Sequence, residues 1–295
     1  EKYFGKKTAN LKLIQSDLSS DFSSYLFNIE IMVHIAAETA TNLLDYDDYD
    51  KINYRVTAKL FEESKKQNVK QFIFISSANT IGYGNLGFLG NETLKIKSPF
   101  SDLFYAQSKL KAEKYLQENQ DGIVLKILNP TFMIGSYDSK PSSGKIILMG
   151  LNKKILFYPP GGKNFVSVKD VVSAVISSFK FGNSGEKYLI AGENLSYKQF
   201  FLKLNRISNQ KQVLLPFPKI ALIAMGYLGN LFRKLRIKTS IGLINMKILC
   251  VNNYYSNQKS IEQLKVNYTS IDDAISQAIK YFESKKQYNK KQKPK

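Results

Sequence analysis

The sequence predicts an α/β protein built on a parallel β-sheet with helices packed on both of its faces. Up to residue 135, strand-length runs that are apolar throughout alternate with amphipathic helices, which is the pattern of a parallel sheet buried on both sides. Each apolar run ends in small or polar residues. From residue 136 onward, Pro-, Gly- and Ser-rich loops and helical segments dominate. We therefore predict a doubly wound sheet domain with a smaller, mostly helical part packed over its strand ends.

Four apolar runs predict the strands of this sheet. They are LKLIQSD at 11–17, EIMVHIAAETA at 30–40, VKQFIFISSAN at 69–79 and GIVLKILNPTFMIG at 122–135. Ligands of open parallel sheets bind beyond the carboxyl ends of the strands. The residues at these ends are small or polar, namely Asp17, Ala36, Ala37, Ser76, Ser77, Asn129 and Pro130. We therefore expect the functional site at this edge of the sheet.

Apolar residues at helical spacing predict two helices between these strands, INYRVTAKLFEESKKQ at 52–67 and YAQSKLKAEKYLQEN at 105–119. Later segments predict a strand and helix at 165–182, a short strand at 186–192, and helices at 196–207, 217–235 and 270–286. The last helix begins with a Ser cap and carries acids in its first turn. Residues 285–295 contain six lysines and almost no apolar residues, so we predict a disordered basic tail there.

Cysteine and histidine each occur once in the 295 residues, and this excludes several kinds of site. Cys250 alone can form neither an internal disulfide nor a thiolate metal site, which fits a reducing cytoplasm. His34 alone excludes a His-rich metal centre, and a Ser–His triad anywhere else in the chain. Its apolar strand predicts a core residue. We therefore predict no metal site.

The formal net charge of +19 is spread along the chain outside the tail. A nucleic-acid-binding surface needs clustered Arg with aromatic residues on one face, which this sequence lacks, so we expect no specific nucleic-acid binding. The most apolar stretch, IALIAMGYLGNLF at 220–232, is too short to cross a bilayer. With Arg233, Lys234 and Arg236 behind it, the stretch is compatible with weak contact to an anionic membrane surface. A helix that covers a substrate pocket is the preferred interpretation.

Tyr105 and Lys109 lie one turn apart on a predicted helix. Free tyrosine has a pKa of about 10, and a neighbouring ammonium lowers it. A tyrosine tuned in this way can give a proton to an alkoxide or take one from an alcohol. If the loop at 80–104 folds back, the Ser77 hydroxyl can hold the substrate oxygen while charge develops on it. These residues therefore predict acid–base catalysis of hydride transfer between an alcohol and a nicotinamide.

The pattern Ser77, Tyr105-x-x-Ser108-Lys109 resembles the Ser–Tyr–Lys site of the short-chain dehydrogenases/reductases. Six blocks occur in the order and spacing of the extended subgroup, the NAD-dependent epimerase/dehydratase family. They are VHIAA (33–37), the helix with Asn53, FISSAN (74–79), YAQSK (105–109), LNPTFMIG (128–135) and FVSVKDVVSAV (165–175). NPTFMIGSYD and PPGGKNFVSVKD are further similar to the dihydroflavonol-reductase-like branch. The resemblance covers residues 10–280.

The resemblance implies a Rossmann-type sheet and a role for each residue of the site. The resemblance implies that Tyr105 is the general acid/base, and that Lys109 lowers the pKa of Tyr105 and binds the nicotinamide ribose. It implies that Ser77 orients the substrate oxygen, with Ser76 as the alternative. The cofactor is implied to be NAD or NADP. The implied cofactor contacts are Asp17 and Leu18 at the adenine, Ile35, Ala36 and Ala37 along the dinucleotide, Asn53 as support, and Ser76, Tyr105, Lys109, Asn129, Pro130 and Thr131 at the nicotinamide side.

The resemblance also implies a division of the chain. Residues 1–136 and 165–192 correspond to the dinucleotide-binding domain, and residues 137–164 and 193–284 to the substrate-binding part. A homodimer through the helices at 52–67 and 105–119 is a further implication. The family opens with a strand and a glycine fingerprint, GxxGxxG, which seats the pyrophosphate on a helix N-terminus. This sequence lacks the fingerprint, so we expect a fragment of a longer protein with weakened cofactor binding.

Three functions remain open: a reductase or dehydrogenase, a nucleotide-sugar epimerase of the same family, and a non-catalytic dinucleotide-binding scaffold. Family dehydratases carry an acid pair after the serine strand, where this sequence has Ala78, Asn79 and Thr80. The loops at 136–165 contain no Arg to hold a sugar diphosphate. The candidate pocket residues are apolar, namely Phe88, Leu89, Phe132, Met133, Phe157 and Tyr158. A reductase acting on a small, fairly apolar substrate is therefore preferred.

Overall fold

A four-stranded parallel sheet forms the centre of the first part of the chain. The computed structural model describes residues 11–17, 23–139 and 141–291, with side chains through residue 286. The strands of this sheet are β1 (Ile31–His34), β2 (Gln71–Ile75), β3 (Val124–Pro130) and β7 (Lys187–Ile190). They pair in the order β1–β2–β3–β7, and every pair is parallel. Their carboxyl ends therefore share one edge of the sheet.

Helices cover both faces of the sheet because alternate residues of its strands point to opposite sides. Phe72 and Phe74 of β2 lie in one core cluster, together with residues of α3 (Thr57–Lys66) and α4 (Phe104–Glu118). Ile73 and Ile75 lie in the opposite cluster, against residues of α6 (Val168–Ser178). The prediction of a doubly wound, Rossmann-type α/β sheet is confirmed.

Three features of the first part differ from the sequence prediction. Residues 11–17 are not a strand: they pair with no strand among the described residues, and without such a partner their backbone has no ladder to join. The predicted strand at 30–40 is confined to β1, and a loop follows it. The predicted helix at 52–67 begins with a π-helical segment, Lys51–Val56, ahead of α3. Short helices α1 (Ser23–Leu26) and α2 (Tyr46–Asp50) precede it.

The second part of the chain contains two small sheets and most of the remaining helices. Its strands are β4 (Phe132–Ile134), β6 (Gly162–Ser167), β8 (Glu193–Ser196) and β10 (Asn252–Asn253) in one sheet, and β5 (Ile155–Tyr158) and β9 (Val213–Pro216) in the other. Its helices are α5 (Lys145–Gly150), α7 (Tyr197–Ile207), α8 (Lys219–Lys234), α9 (Leu243–Ile248), α10 (Gln258–Leu264) and α11 (Ile271–Lys291). Phe165 and Phe200 stack 4.4 Å apart in its apolar core.

The C-terminal helix is longer than predicted. α11 continues to Lys291, so residues 285–291 of the segment predicted to be disordered are helical. Within the described ranges, no helix combines the length and the apolar character that crossing a bilayer requires.

Candidate active site

Ser77 stands at the carboxyl end of β2, where the chain leaves the sheet. It caps a short 3₁₀ turn, Ala78–Thr80, and its Oγ accepts the Asn79 backbone N–H at 3.2 Å. Because the oxygen receives this bond, the hydroxyl proton of Ser77 remains available to a further acceptor. The cap therefore holds the serine with its hydrogen-bond donor free.

The Tyr105 phenol lies near enough to the Ser77 hydroxyl for the serine to act on the phenol's pKa. Tyr105 is in the first turn of α4, and the loop at 80–104 returns the chain to the end of β2. Burial raises the pKa of Tyr105, and the Glu113 carboxylate adds to that rise, while the hydrogen bond from Ser77 acts in the opposite direction. The phenol is therefore protonated near neutral pH. The loop thus returns Tyr105 to the strand end that carries Ser77, and their joint catalytic role stays a prediction.

The groups that act on the pKa of Tyr105 in this structure do not include Lys109, whose predicted effect on the phenol stays a prediction. The Lys109 side chain is 1% exposed, and its Nζ donates to the Ile75 carbonyl oxygen at 2.8 Å and lies 4.0 Å from the ring centroid of Phe74. Burial lowers the pKa of Lys109 to about 7, with the Glu113 carboxylate acting in the opposite direction. The amine is directed at the strand end, and its charge is partial near neutral pH. Burial is therefore the main influence on the pKa of the Tyr105 phenol.

A buried carboxylate that sequence reasoning missed lies beneath the catalytic candidates. Glu113 is fully buried, and its Oε1 accepts from Ser76 Oγ, from Thr80 Oγ1 at 2.7 Å and from Asn129 Nδ2 at 2.7 Å. Its Oε2 pairs with Lys187 Nζ at 2.6 Å. Glu113 therefore ties α4 to the ends of β2 and β3 and to β7. The available signal was its spacing, since it lies one turn beyond Lys109 on the face that carries Tyr105.

The Glu113 network separates the roles of the two adjacent serines. Ser76 is turned inward and donates to Glu113, whereas Ser77 faces Tyr105. Asn129 Nδ2 also contacts the Ser77 carbonyl oxygen at 3.1 Å and Thr80 Oγ1 at 3.0 Å. Ser76 and Asn129 therefore support the turn that holds Ser77, and the structure favours Ser77 over Ser76 as the partner of the phenol.

Asn53 connects the loop after β1 with α4. Its Oδ1 accepts the Glu38 backbone N–H at 2.8 Å, and its Nδ2 lies 3.1 Å from the Glu38 carbonyl oxygen and 3.0 Å from Ser108 Oγ. The Ser108 hydroxyl in turn donates to the Tyr105 carbonyl oxygen at 2.9 Å. The fully buried Asn53 thus fixes the position of the first turn of α4, which carries Tyr105.

Among the other predicted cofactor residues, those that follow β1 and those at the end of β3 lie at the carboxyl edge of the sheet. Ile35 is exposed just after β1, and Ala36 and Ala37 are half-buried. Pro130 ends β3, and Thr131 Oγ1 donates to Asn164 Oδ1 at 2.7 Å. Asp17 is exposed, and Leu18 lies outside the described residues.

These residues fit the nicotinamide end of a dinucleotide. The small side chains after β1 leave the backbone open to close approach by a ligand. The Ser77 and Tyr105 hydroxyls offer the donors that a reacting oxygen needs. A lysine at the same strand ends is a donor suited to ribose hydroxyls.

A cleft of about 360 Å³ lies beside the N-terminal end of α4. Its lining combines apolar side chains, from Leu43, Leu103 and Phe104, with cationic ones, from Arg233, Lys234 and Arg236. Arg233 Nη2 donates to the Leu43 carbonyl oxygen at 2.5 Å. The cleft therefore adjoins the turn that carries Tyr105.

The six residues predicted to form an apolar substrate pocket do not line this cleft. Phe88 lines another cleft with Val251 and Asn252, and Phe157 is exposed on β5. Phe132 and Met133 lie on β4 and Phe157 and Tyr158 on β5, so the six side chains belong to separate elements, and their positions in the sequence did not reveal which of them share a cleft.

Residues 4–191 match the family described as the NAD dependent epimerase/dehydratase family. A putative dihydroflavonol 4-reductase of Synechocystis sp. is 26% identical over 267 residues, which cover 86% of this chain and 76% of that protein. Sterol demethylase protein B of Methylococcus capsulatus is 27% identical over 200 residues, covering 67% of this chain and 59% of that protein. Human dTDP-D-glucose 4,6-dehydratase is 29% identical over 193 residues, which cover 61% of this chain and 54% of that protein.

Solved structures share the fold. UDP-glucuronic acid 4-epimerase from Bacillus cereus, in complex with UDP-glucuronic acid and NAD, superposes with a TM-score of 0.71 at 18% identity, over 92% of this chain and 81% of that chain. RMD from Pseudomonas aeruginosa, complexed with NADPH, gives a TM-score of 0.68 at 18% identity, over 96% of this chain and 94% of that chain. Since the family match covers more than half of the residues, this chain belongs to the NAD dependent epimerase/dehydratase family of enzymes.

Proposed function

We propose that this chain is an NAD(P)-dependent oxidoreductase that reduces a carbonyl group, or oxidises the corresponding alcohol, in a small and fairly apolar substrate. The observation that carries the proposal is the placement of the Tyr105 phenol at the carboxyl end of β2, near enough to the Ser77 hydroxyl for the serine to act on its pKa. The relative that aligns with 86% of this chain is itself a putative dihydroflavonol 4-reductase. The apolar side chains in the cleft beside α4 support a substrate that is apolar over part of its surface.

The side chains supply proton transfer and orientation. Ser77 donates a hydrogen bond to the substrate oxygen, because its own Oγ is already occupied by the Asn79 N–H. Tyr105, whose pKa burial keeps above its ordinary value, gives its proton to that oxygen as negative charge develops there. In the oxidative direction the same oxygen returns the proton to the phenolate. Asn53 and Glu113 keep the two hydroxyls in register through α4 and the turn after β2.

A bound nicotinamide would supply or accept the hydride. Ile35, Ala36 and Ala37 would line it, and Lys109 would turn from the Ile75 carbonyl toward the ribose. Asp17 would contact the adenine. NAD and NADP remain equal candidates. The single cysteine is consistent with a cytoplasmic location, which we also propose. The homodimer stays a prediction.

Cofactor binding and turnover test this function separately. Thermal-shift titration of the protein with NAD(H) and NADP(H) should raise the melting temperature with one of them. Oxidation of the reduced cofactor with a panel of apolar aldehydes and ketones should then be lost in Tyr105→Phe while cofactor affinity is kept. Binding without turnover in the unsubstituted protein would support the scaffold alternative, and turnover retained in Tyr105→Phe would disprove the assigned catalytic role.

A nucleotide-sugar epimerase is the second candidate. UDP-glucose 4-epimerase of Vibrio cholerae is 28% identical over 172 residues, which cover 54% of this chain and 50% of that protein. An epimerase would interconvert UDP-sugars with no net change in nicotinamide absorbance. Incubation with UDP-glucose, followed by separation of the sugar nucleotides, distinguishes the two functions, since a reductase leaves UDP-glucose unchanged.

A further inference from the structure

Helix α8 turns most of its large apolar side chains away from the protein. Ile220, Leu228 and Leu235 are 84%, 60% and 63% exposed, and Tyr227 and Leu231 between them are exposed as well. These five positions recur at helical spacing, so they form one stripe along the helix. A surface helix of a globular protein normally directs such a stripe toward the core. α8 therefore has the inverse of the usual orientation.

Two glycines hold α8 in this orientation. Gly226 and Gly229 are buried, and they let the helix approach the chain around α9 closely. A Cβ at Gly229 would lie 1.2 Å from the Ile241 carbonyl oxygen, and a Cβ at Gly226 would lie 2.8 Å from Leu243 Cα. No side chain fits at either of these two positions, whereas Leu222 is buried on the same face one turn before Gly226. The helix therefore cannot rotate to bury its outer stripe.

The β5–β9 ribbon leads directly into α8 and adds to the exposed apolar area. Its register pairs Ile155 with Val213 and Phe157 with Leu215, and all four side chains are exposed. The Phe157 ring lies 6.1 Å from the Phe217 ring, one residue before the Pro that caps α8. We refer to these four residues and the α8 stripe together as the outer apolar surface.

The chain segment that carries β9 and α8 has charges of one sign, and Arg236 beside the stripe is paired with Asp45 from the loop after β1. Between Glu193 and Glu262 the sequence contains 11 Lys and Arg residues and no Asp or Glu. Lys219, Lys234 and Lys238 flank the stripe, are exposed, and form no ion pair with any described residue. A second copy of this chain would bring the same cations to the contact and be repelled. An anionic lipid surface complements both the charge and the apolar residues.

We propose that the outer apolar surface binds the face of an anionic bilayer, with α8 lying in the plane of the lipid headgroups. The apolar stripe enters the headgroup–acyl boundary, and the flanking lysines contact the lipid phosphates. This inference is independent of the reaction proposed above, because the apolar residues of the surface lie outside the candidate active site; of the three flanking lysines, Lys234 also lines the cleft beside α4.

A tryptophan reporter tests the depth of α8 directly, because the chain contains no Trp. Tyr227→Trp places one fluorophore in the stripe, and Ile176→Trp places a matched one at an exposed position of α6. With vesicles of phosphatidylcholine and phosphatidylglycerol, emission of Tyr227→Trp should shift to the blue and be quenched by brominated acyl chains. Emission of Ile176→Trp should not change. Equal behaviour of the two reporters would overturn the proposal.

Paired substitutions separate the stripe from the overall positive charge. Leu228→Gln/Leu231→Gln should weaken vesicle co-sedimentation at least tenfold, because binding scales with the apolar area buried in lipid. The matched control Val172→Gln/Ile176→Gln should leave it unchanged. Lys234→Gln/Lys238→Gln should lower the affinity for the vesicles about fivefold for each charge removed, in low salt. Vesicle binding that survives loss of the two leucines would assign it to net charge alone and refute the proposal. The proposal would also be refuted if the protein self-associated in the absence of lipid and the double substitution of Leu228 and Leu231 abolished that self-association.

Discussion

The buried Glu113 carboxylate is the centre of the hydrogen-bond network that supports the active-site turn, and its removal should be costly. Glu113→Ala leaves Lys187 without its partner on the edge of the core. It also leaves Ser76, Thr80 and Asn129 without their shared acceptor. Breaking a buried ion pair by removing one partner costs about 3–5 kcal/mol. We therefore expect a loss in the free energy of unfolding of roughly 4 kcal/mol, a large share of a typical domain's total.

Two further variants identify which part of the network carries this cost. Glu113→Gln keeps an acceptor of the same size but removes the charge, so it should lose less than Glu113→Ala. The double variant Glu113→Gln/Lys187→Met removes both charges and should recover part of the loss of Glu113→Gln, because no unpaired ammonium remains. Glu118→Ala, an exposed carboxylate on the same helix, is the matched control and should change stability by about 0.5 kcal/mol or less.

Urea denaturation followed by circular dichroism measures these differences. Midpoints should decrease in the order Glu118→Ala, the double variant, Glu113→Gln, Glu113→Ala. If Glu113→Ala were as stable as Glu118→Ala, Glu113 would not organise the site as described. If the double variant were less stable than Glu113→Gln, Lys187 would be stabilising by some route other than this ion pair.

Two predictions follow from groups whose pKa values burial lowers. His34 is the only histidine in the sequence, so its imidazole signals can be followed by NMR in the unmodified protein. Its pKa should be about 4, because burial and, to a smaller extent, the Lys109 charge lower it. A pKa near 6.5 would contradict the described packing. Because the unfolded chain then binds the proton first, the free energy of unfolding should fall by about 3 kcal/mol between pH 6.5 and 4, and His34→Gln should lack this term. Burial lowers the pKa of Lys109 from 10.5 to about 7, so between these pH values the unfolded state holds a proton that the folded state lacks. The free energy of unfolding should therefore rise with pH, relative to that of Lys109→Met, by on the order of 5 kcal/mol in total. A pH-independent difference between the two proteins would show that Lys109 is not buried.

The sheet was predictable because its sequence pattern has one physical explanation. The run at 69–79 is apolar at every position, since Phe72 and Phe74 face one helix layer while Ile73 and Ile75 face the other. Ser77 and Tyr105 were predictable for a related reason. A strand end and the first turn of the next helix are positions where a parallel sheet presents its ligand-binding residues.

Side-chain direction and long-range pairing were not predictable in the same way. Glu113 reads as a solvated helix residue in a chain rich in lysine, and only the fold shows that its face of α4 meets β3 and β7. Lys109 was expected beside the phenol because of its spacing, but its long chain reaches the Ile75 carbonyl. The apolar run at 11–17 has the composition of a strand, yet a strand forms only where a neighbour accepts its hydrogen bonds.

The role of Tyr105 as the proton donor is most directly tested by comparing hydride transfer and cofactor binding in the same pair of proteins. For unsubstituted protein and Tyr105→Phe, the dissociation constant of the preferred nicotinamide dinucleotide and the rate of change in nicotinamide absorbance with a carbonyl substrate would be measured side by side. We expect the dissociation constant to stay within about twofold and the rate to fall by about 10² or more, the usual contribution of a general acid. A rate that falls by less than about fivefold would show that the phenol beside Ser77 is not the proton donor.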